Sequence, residues 1–277
     1  MLAPTSTVLS GLHPRTIGNT LRVANLTAVN LLKVKIQSLT PPFYLLTLCG
    51  LPIFSLILTA LIYRENETLR DYAVVAGAGT SFLFIMLFSG GENLEGERQR
   101  GTLASLFIAP SSRLSWLLGF QLSAAYEAIF VAIVTVSLGV AIFGTPVSIN
   151  PISLVVTILL MVVCLWGLGM VLSAIGTAVR AANQLSNMLF GILTPLSGSL
   201  FPISEAPAWL RIPARCLPFG YGIDALVGAI TKDATVVALK GDLLPLLGFA
   251  IGLPVLGAVS FRLLDRYARQ QGHLDML

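Results

Sequence analysis

Long apolar runs alternate with short polar connections along most of the chain. Six runs approach or exceed the roughly 20 residues that cross a bilayer core as a helix: about Pro41–Tyr63, Tyr72–Gly91, Leu114–Phe143, Ile152–Val179, Ala181–Leu200 and Leu243–Phe261. A β-barrel would instead show short segments of strict alternation, and none stands out. The pattern predicts an all-α membrane protein with six transmembrane helices, residues 41–261 forming a single membrane domain. Residues 1–15 carry no periodicity and are expected to be unstructured.

From about Thr16 to Gln37 the spacing is helical but too polar to span. Ile17, Leu21, Ala24, Ala28, Leu31, Leu32 and Ile36 share one face; Asn19, Arg22, Asn30, Lys33 and Gln37 share the other. This predicts an amphipathic helix in the membrane interface, within an N-terminal segment of residues 1–40; the soluble first turns of the first span are the other reading. Between the fifth and sixth runs, about 201–230, Pro202, Pro207, Pro213 and Pro218 recur every five or six residues. No continuous helix passes such a series. The segment stays apolar and holds Trp209, Phe219 and Tyr221, types that favour the membrane interface. It predicts re-entrant half-helices, shielded by the rest of the protein; an ordinary surface loop is the alternative. Gly248 and Gly252 form a GxxxG in the last run, a pattern suited to close helix packing.

Composition agrees with the pattern. Of 277 residues, 55% are hydrophobic and 11% charged, against about 25% charged in soluble domains. The net charge of +4 comes from dispersed cations, which argues against nucleic-acid binding. Lys and Arg fall 11 to one side of the six runs and 6 to the other. That asymmetry predicts both termini, the tail 262–277 and the loop after the second run in the cytoplasm, hence a multi-pass protein of the plasma (inner) membrane.

Candidate chemistry is sparse. There is no P-loop, so the chain does not cradle a nucleotide itself. The three cysteines show no paired spacing for a disulfide or metal site, and no nucleophile–base constellation stands out. The chain is expected not to be an enzyme, to hold no cofactor and to bind no metal. Glu127 is the one ionisable residue deep in a run. A charge there costs roughly 3 kcal/mol or more on insertion scales, so it should face protein or a water-filled cavity. It is a candidate substrate contact, or else a structural hydrogen bond to a neighbouring helix. The polar segment 92–113 holds Glu97, Arg98, Arg100, Gly101 and Thr102. Thr102 is a candidate helix cap, Leu103, Leu106 and Phe107 make an apolar ridge, and Pro110 ends it. Such a short helix suits a groove in a soluble partner or the lipid headgroups.

The segment GERQRGTLASLFIAP resembles the ExERGTLExLxxxP signature of type-two ABC exporter permeases, the family that includes daunorubicin-resistance-type proteins. Glu97, Arg98, Gly101, Thr102, Leu103, Leu106 and Pro110 match it. Downstream, LSGSLFPISEAPAWLRIPARCLPFGYGIDALVGAI resembles that family's SGxxFPxxxxPxWL…PxxYxxDALR segment through Phe201, Pro202, Pro207, Trp209, Pro218, Tyr221 and Asp224. Ala104 and Val227 depart from the pattern, standing where Glu and Arg are usual.

The resemblance implies that 92–113 is a cytoplasmic coupling helix that contacts an ATPase subunit, with Arg100 beside the matched residues. It also implies that 201–230 is an outer cap. The expected assembly is two permeases, identical or related, with two ABC ATPase subunits that bind ATP and Mg. The expected function is ATP-driven export, by alternating access, of an amphipathic or lipophilic small molecule or lipid across a bacterial plasma membrane. The alternatives are a glycan exporter permease of the same family and an ion-gradient transporter that uses Glu127.

Overall fold

The computed structural model describes residues 14–38, 41–63, 65–99, 101, 113–179, 182–199 and 201–270. Among these there is no strand. The helices are α1 Pro14–Ser38, α2 Pro41–Ile62, α3 Glu67–Gln99, α4 Arg113–Phe143, α5 Pro151–Val179, α6 Ala182–Leu196, α7 Ala208–Arg215, α8 Pro218–Thr231 and α9 Lys240–Gln270, with a 3₁₀ turn at Ile203–Glu205. By length and composition, Glu67–Ser89, Leu118–Phe143, Pro151–Ile175 and Lys240–Ser260 are able to cross a membrane. The first lies mostly inside the protein and the others are largely exposed. α3 is thus the central helix, packed by α2, α4, α5, α6 and α8.

Short side chains let the helices meet closely. α5 and α9 form the most extensive pair. A Cβ on Gly167 would strike Pro254 N and lie 2.7 Å from Leu253 O, and one on Gly257 would lie 2.6 Å from Gly167 O. The GxxxG pair is elsewhere: a Cβ on Gly248 or Gly252 would meet nothing within 4 Å. The close packing therefore sits about one and a half turns further along α9 than the sequence motif suggested.

The helix expected at 16–37 is present as α1 and packs lengthwise on α4. Ala24 and Ala28 are buried, while Arg22, Asn30 and Lys33 are exposed. A Cβ on Gly119 of α4 would lie 2.6 Å from Thr27 Cβ and 2.9 Å from Ala24 O. Glycine at 119 is what allows the two backbones to approach.

Of the four prolines in the series 202–218, all but one mark a helix start. Pro202 precedes the 3₁₀ turn, Pro207 precedes α7 and Pro218 opens α8, the position where its fixed φ and missing N–H cost nothing. Pro213 instead lies inside α7. α7 is only 8 residues long, so little helical ladder exists for Pro213 to interrupt. The turn 144–150 straps the far end of α8: Ser148 N donates to Ile230 O and Asn150 N to Ala229 O. Asn150 then caps α5, its side chain accepting from Ser153 N at 3.1 Å, with Pro151 in the first turn.

Candidate functional site: a tyrosine–aspartate latch, a buried ion pair and a glycine turn

α8 is 14 residues long and nearly all of it is buried. At 1.5 Å per residue it is about 21 Å long, too short to cross a bilayer core. It is wedged among α3, α5 and α9, where Gly222 lies tight against Met161, and Gly79 of α3 leaves room for Ile223. This places Asp224 opposite Tyr72 of α3. The Tyr72 hydroxyl lies 3.0 Å from Asp224 Oδ1 and 2.9 Å from the Gly198 carbonyl. Gly198 has φ +77, a left-handed turn that glycine adopts without strain. The latch therefore ties the second apolar run, the turn after α6 and the cap together.

Two polar clefts flank this latch. One, of about 390 Å³, is lined by Ser204, Arg215, Tyr221, Asp224 and Asp242. The other, of about 370 Å³, is lined by Asp71, Tyr72, Pro202, Glu205 and Lys232. The Tyr72–Asp224 contact stands between them. Burial pushes the Asp224 carboxyl up to about 6, with the Tyr72 hydrogen bond and Lys232 pulling the other way. Within the cap, Arg211 donates to the carbonyls of Ser204 and Ala206, both at 2.9 Å, stapling the 3₁₀ turn to α7. The Tyr221 hydroxyl donates to Arg215 O. Pro218 is buried, Phe201 and Pro202 are half-buried, and Trp209 is 74% exposed, as expected of a ring at a membrane–water boundary.

Glu127 lies in α4 with its side chain 8% exposed, paired at 2.8 Å with Lys35 of α1. The Tyr44 phenol oxygen is buried beside it. Glu127 thus makes an interhelical contact, and its partner is a residue that the helical pattern alone had not singled out. A second buried polar contact joins Ser89 of α3 to Gln121 of α4, Oγ to Oε1 at 2.8 Å. It lies where the apolar part of α3 ends.

The segment 92–99 continues α3 without a break. Its Glu, Leu, Gln and Arg are good helix formers, and no proline interrupts them. Glu97 and Arg98 fall in the last turns of α3, and Gly101 follows in an exposed turn with φ +70. Arg100, Thr102, Leu103, Leu106 and Pro110 lie outside the described residues. Among the described residues no group of three or more metal-ligating side chains comes together.

The glycine turn falls in the first sequence motif, and the second motif supplies Asp224 of the latch and one side of each cleft. Comparison with known proteins points the same way. A family model described as "ABC-2 type transporter" matches residues 28–231. The chain is also similar to the "Probable multidrug ABC transporter permease YbhR" of Escherichia coli K12, 26% identical over 153 residues. The same figures hold for the protein of that description from Escherichia coli O157:H7. That alignment takes in 54% of this chain and 41% of the relative, so the chain spans less than half the length of the curated relatives it matches. The family match, by contrast, runs from α1 to the end of α8 and encloses both motifs. On that extent the chain belongs to the ABC-2 type transporter family, as a membrane permease.

Proposed function

We propose that this chain is one permease of an ATP-driven exporter of amphipathic or lipophilic molecules, drugs or lipids among them. A separate ABC ATPase subunit binds ATP and Mg, and two permeases with two ATPases complete the assembly. The observation that carries this reading is the family match over 28–231, which takes in a helix reaching well beyond the bilayer. α3 has 33 residues and is about 50 Å long, against a hydrocarbon core of roughly 30 Å. Its apolar part ends at Ser89, so about ten further residues, Glu97 and Arg98 among them, project toward the soluble partner.

The six-span arrangement adds α2 and the apolar run 181–200 to the four apolar helices. α2 has 22 residues and reaches about 33 Å; α6, 15 residues and about 22 Å of that run, falls short of the core by itself and packs on α3 and α5. The cation bias puts both termini and the Gly101 turn in the cytoplasm and the cap outside. α7 and α8 then form the re-entrant cap. ATP binding closes the ATPase pair, the coupling segment 92–113 follows, and the cavity opens past the cap. The nucleotide drives this because it binds one state more tightly than the other.

The Gly101 turn is the place to test the coupling. Among the described residues a Cβ there meets nothing within 4 Å, and at φ +70 Gly101→Val adds backbone strain on the order of 1–3 kcal/mol. The permease is purified from native membranes in mild detergent and its companions identified by mass. A P-loop ATPase that accompanies the wild type and is depleted with Gly101→Val is the expected result. A wild-type protein that brings no nucleotide-binding chain would overturn the assignment.

A further inference from the structure

We infer that the cavity between α1, α2 and α4 binds hydrophobic organic cations, and that Lys35, paired with the lining residue Glu127 from beside the cavity, neutralises that carboxylate when no ligand is present. The inference rests on the exporter reading and names a cargo class for it.

The cavity holds about 360 Å³. Leu32, Leu45 and Leu48 supply aliphatic wall, and Tyr44, Tyr126 and Phe130 supply three aromatic rings. The carboxylate of Glu127 stands among them, over nine-tenths buried. Aromatic faces and a carboxylate both attract positive charge, and the aliphatic wall selects for an apolar body around it. An anion would meet Glu127 directly. A neutral hydrocarbon would gain nothing from the carboxylate.

Lys35 decides between these ligands. Its ammonium sits 2.8 Å from Glu127, and its side chain is 32% exposed on a flexible four-carbon stem. Withdrawing it toward solvent leaves a buried carboxylate that needs a counter-charge. A ligand cation supplies one, so the exchange leaves the charge inside the cavity unchanged. A neutral or anionic ligand cannot make that exchange without stranding Glu127. The phenol oxygen of Tyr44, which lies beside Glu127, offers an acceptor to a ligand amine. Lys35 therefore acts as a tethered competitor, and removing it should strengthen binding, whereas removing Glu127 should weaken it.

The test uses the full-length permease in lipid nanodiscs, without ATPase. Tetraphenylphosphonium is the probe, and tetraphenylborate, of the same shape and opposite charge, is the control. Binding is measured by equilibrium dialysis against empty nanodiscs. The expected result is saturable phosphonium binding that Glu127→Gln weakens by about tenfold and Lys35→Met tightens by about threefold. Tetraphenylborate should follow neither change. Equal phosphonium binding by wild type and Glu127→Gln, or weaker binding by Lys35→Met, overturns the inference. Lys35→Met also bares a buried carboxylate and is at risk of misfolding. The double variant Lys35→Met/Glu127→Gln has no charge to bury and provides the second arm. It should bind no better than Glu127→Gln alone, and wild-type affinity in it would overturn the site. Because no ATPase is present, failure here leaves the exporter assignment standing. Absence of an ATPase partner would likewise leave this site standing.

Discussion

The Tyr72 hydroxyl has one proton and two acceptors within 3.0 Å, Gly198 O and Asp224 Oδ1. When Asp224 is charged the two acceptors compete. When Asp224 is protonated its carboxyl donates to Tyr72, and Tyr72 is free to donate to Gly198. Burial has raised Asp224 from 3.8 to about 6, so the folded state binds a proton there more tightly than the unfolded chain. The stability this contributes is complete below pH 3.8 and is lost as the pH rises through about 6. The melting temperature of the purified permease should therefore contain a component that falls across that interval. Asp224→Asn should abolish the component, and Tyr72→Phe, which removes a stabiliser of the carboxylate, should shift it to higher pH. A thermal-melt series from pH 4 to 8 checks all three. Asp224 was legible in the sequence through the motif around Tyr221. Tyr72 was not, because it lies 152 residues away and nothing in its neighbourhood distinguishes it from an ordinary interfacial tyrosine. Lys35 was hidden in a similar way. It read as one cation among several on a polar helix, and only the packing of α1 on α4 brings it to Glu127.

Helix pairs in this protein are set by where a Cβ is absent. At Gly167 the opposing atoms are backbone, Pro254 N and Leu253 O, and backbone cannot turn aside as a side chain can. Gly167→Ala must push α5 and α9 apart, at about 1–3 kcal/mol. Gly252→Ala fills open space on the same pair and should be neutral, or stabilising by under about 1 kcal/mol. Thermal unfolding of the two variants in detergent should separate them clearly; equal melting temperatures would contradict the packing described here. Hydrophobic spacing gave the positions of the apolar helices well, since length and composition suffice for that. It did not give the partners. Gly248 and Gly252 fit the packing motif but face outward, and Gly167 lies in a run where glycine is common and carries no signal of its own. The proline series marked the ends of α7 and α8 correctly, except at Pro213, where the helix is too short for proline to break.

For the whole molecule, the proposed topology puts the cap outside and the Gly101 turn inside. The native cysteines allow this to be tested without engineering. Cys216 is exposed beside α7, whereas Cys49 and Cys164 are buried. A membrane-impermeant maleimide added to intact cells should label Cys216 and leave the other two; labelling only after lysis would invert the topology. Segments 96–110 and 196–230 were both readable as motifs, but the body joining them was not. The polar residues from Glu92 onward looked like a loop, yet α3 runs through them to Gln99. From Tyr72 to Gln99 it is about 40 Å long, with no proline and with the Ser89–Gln121 contact partway along. Such a rod leaves little room for delay. A shift at its cytoplasmic end reaches Tyr72 as rigid-body motion, apart from what Ser89, Gly90 and Gly91 absorb by bending. On the proposed function, closure of the ATPases and opening of the cavity past the Tyr72–Asp224 contact should then follow a single rate constant, as one event seen from two sides of the membrane.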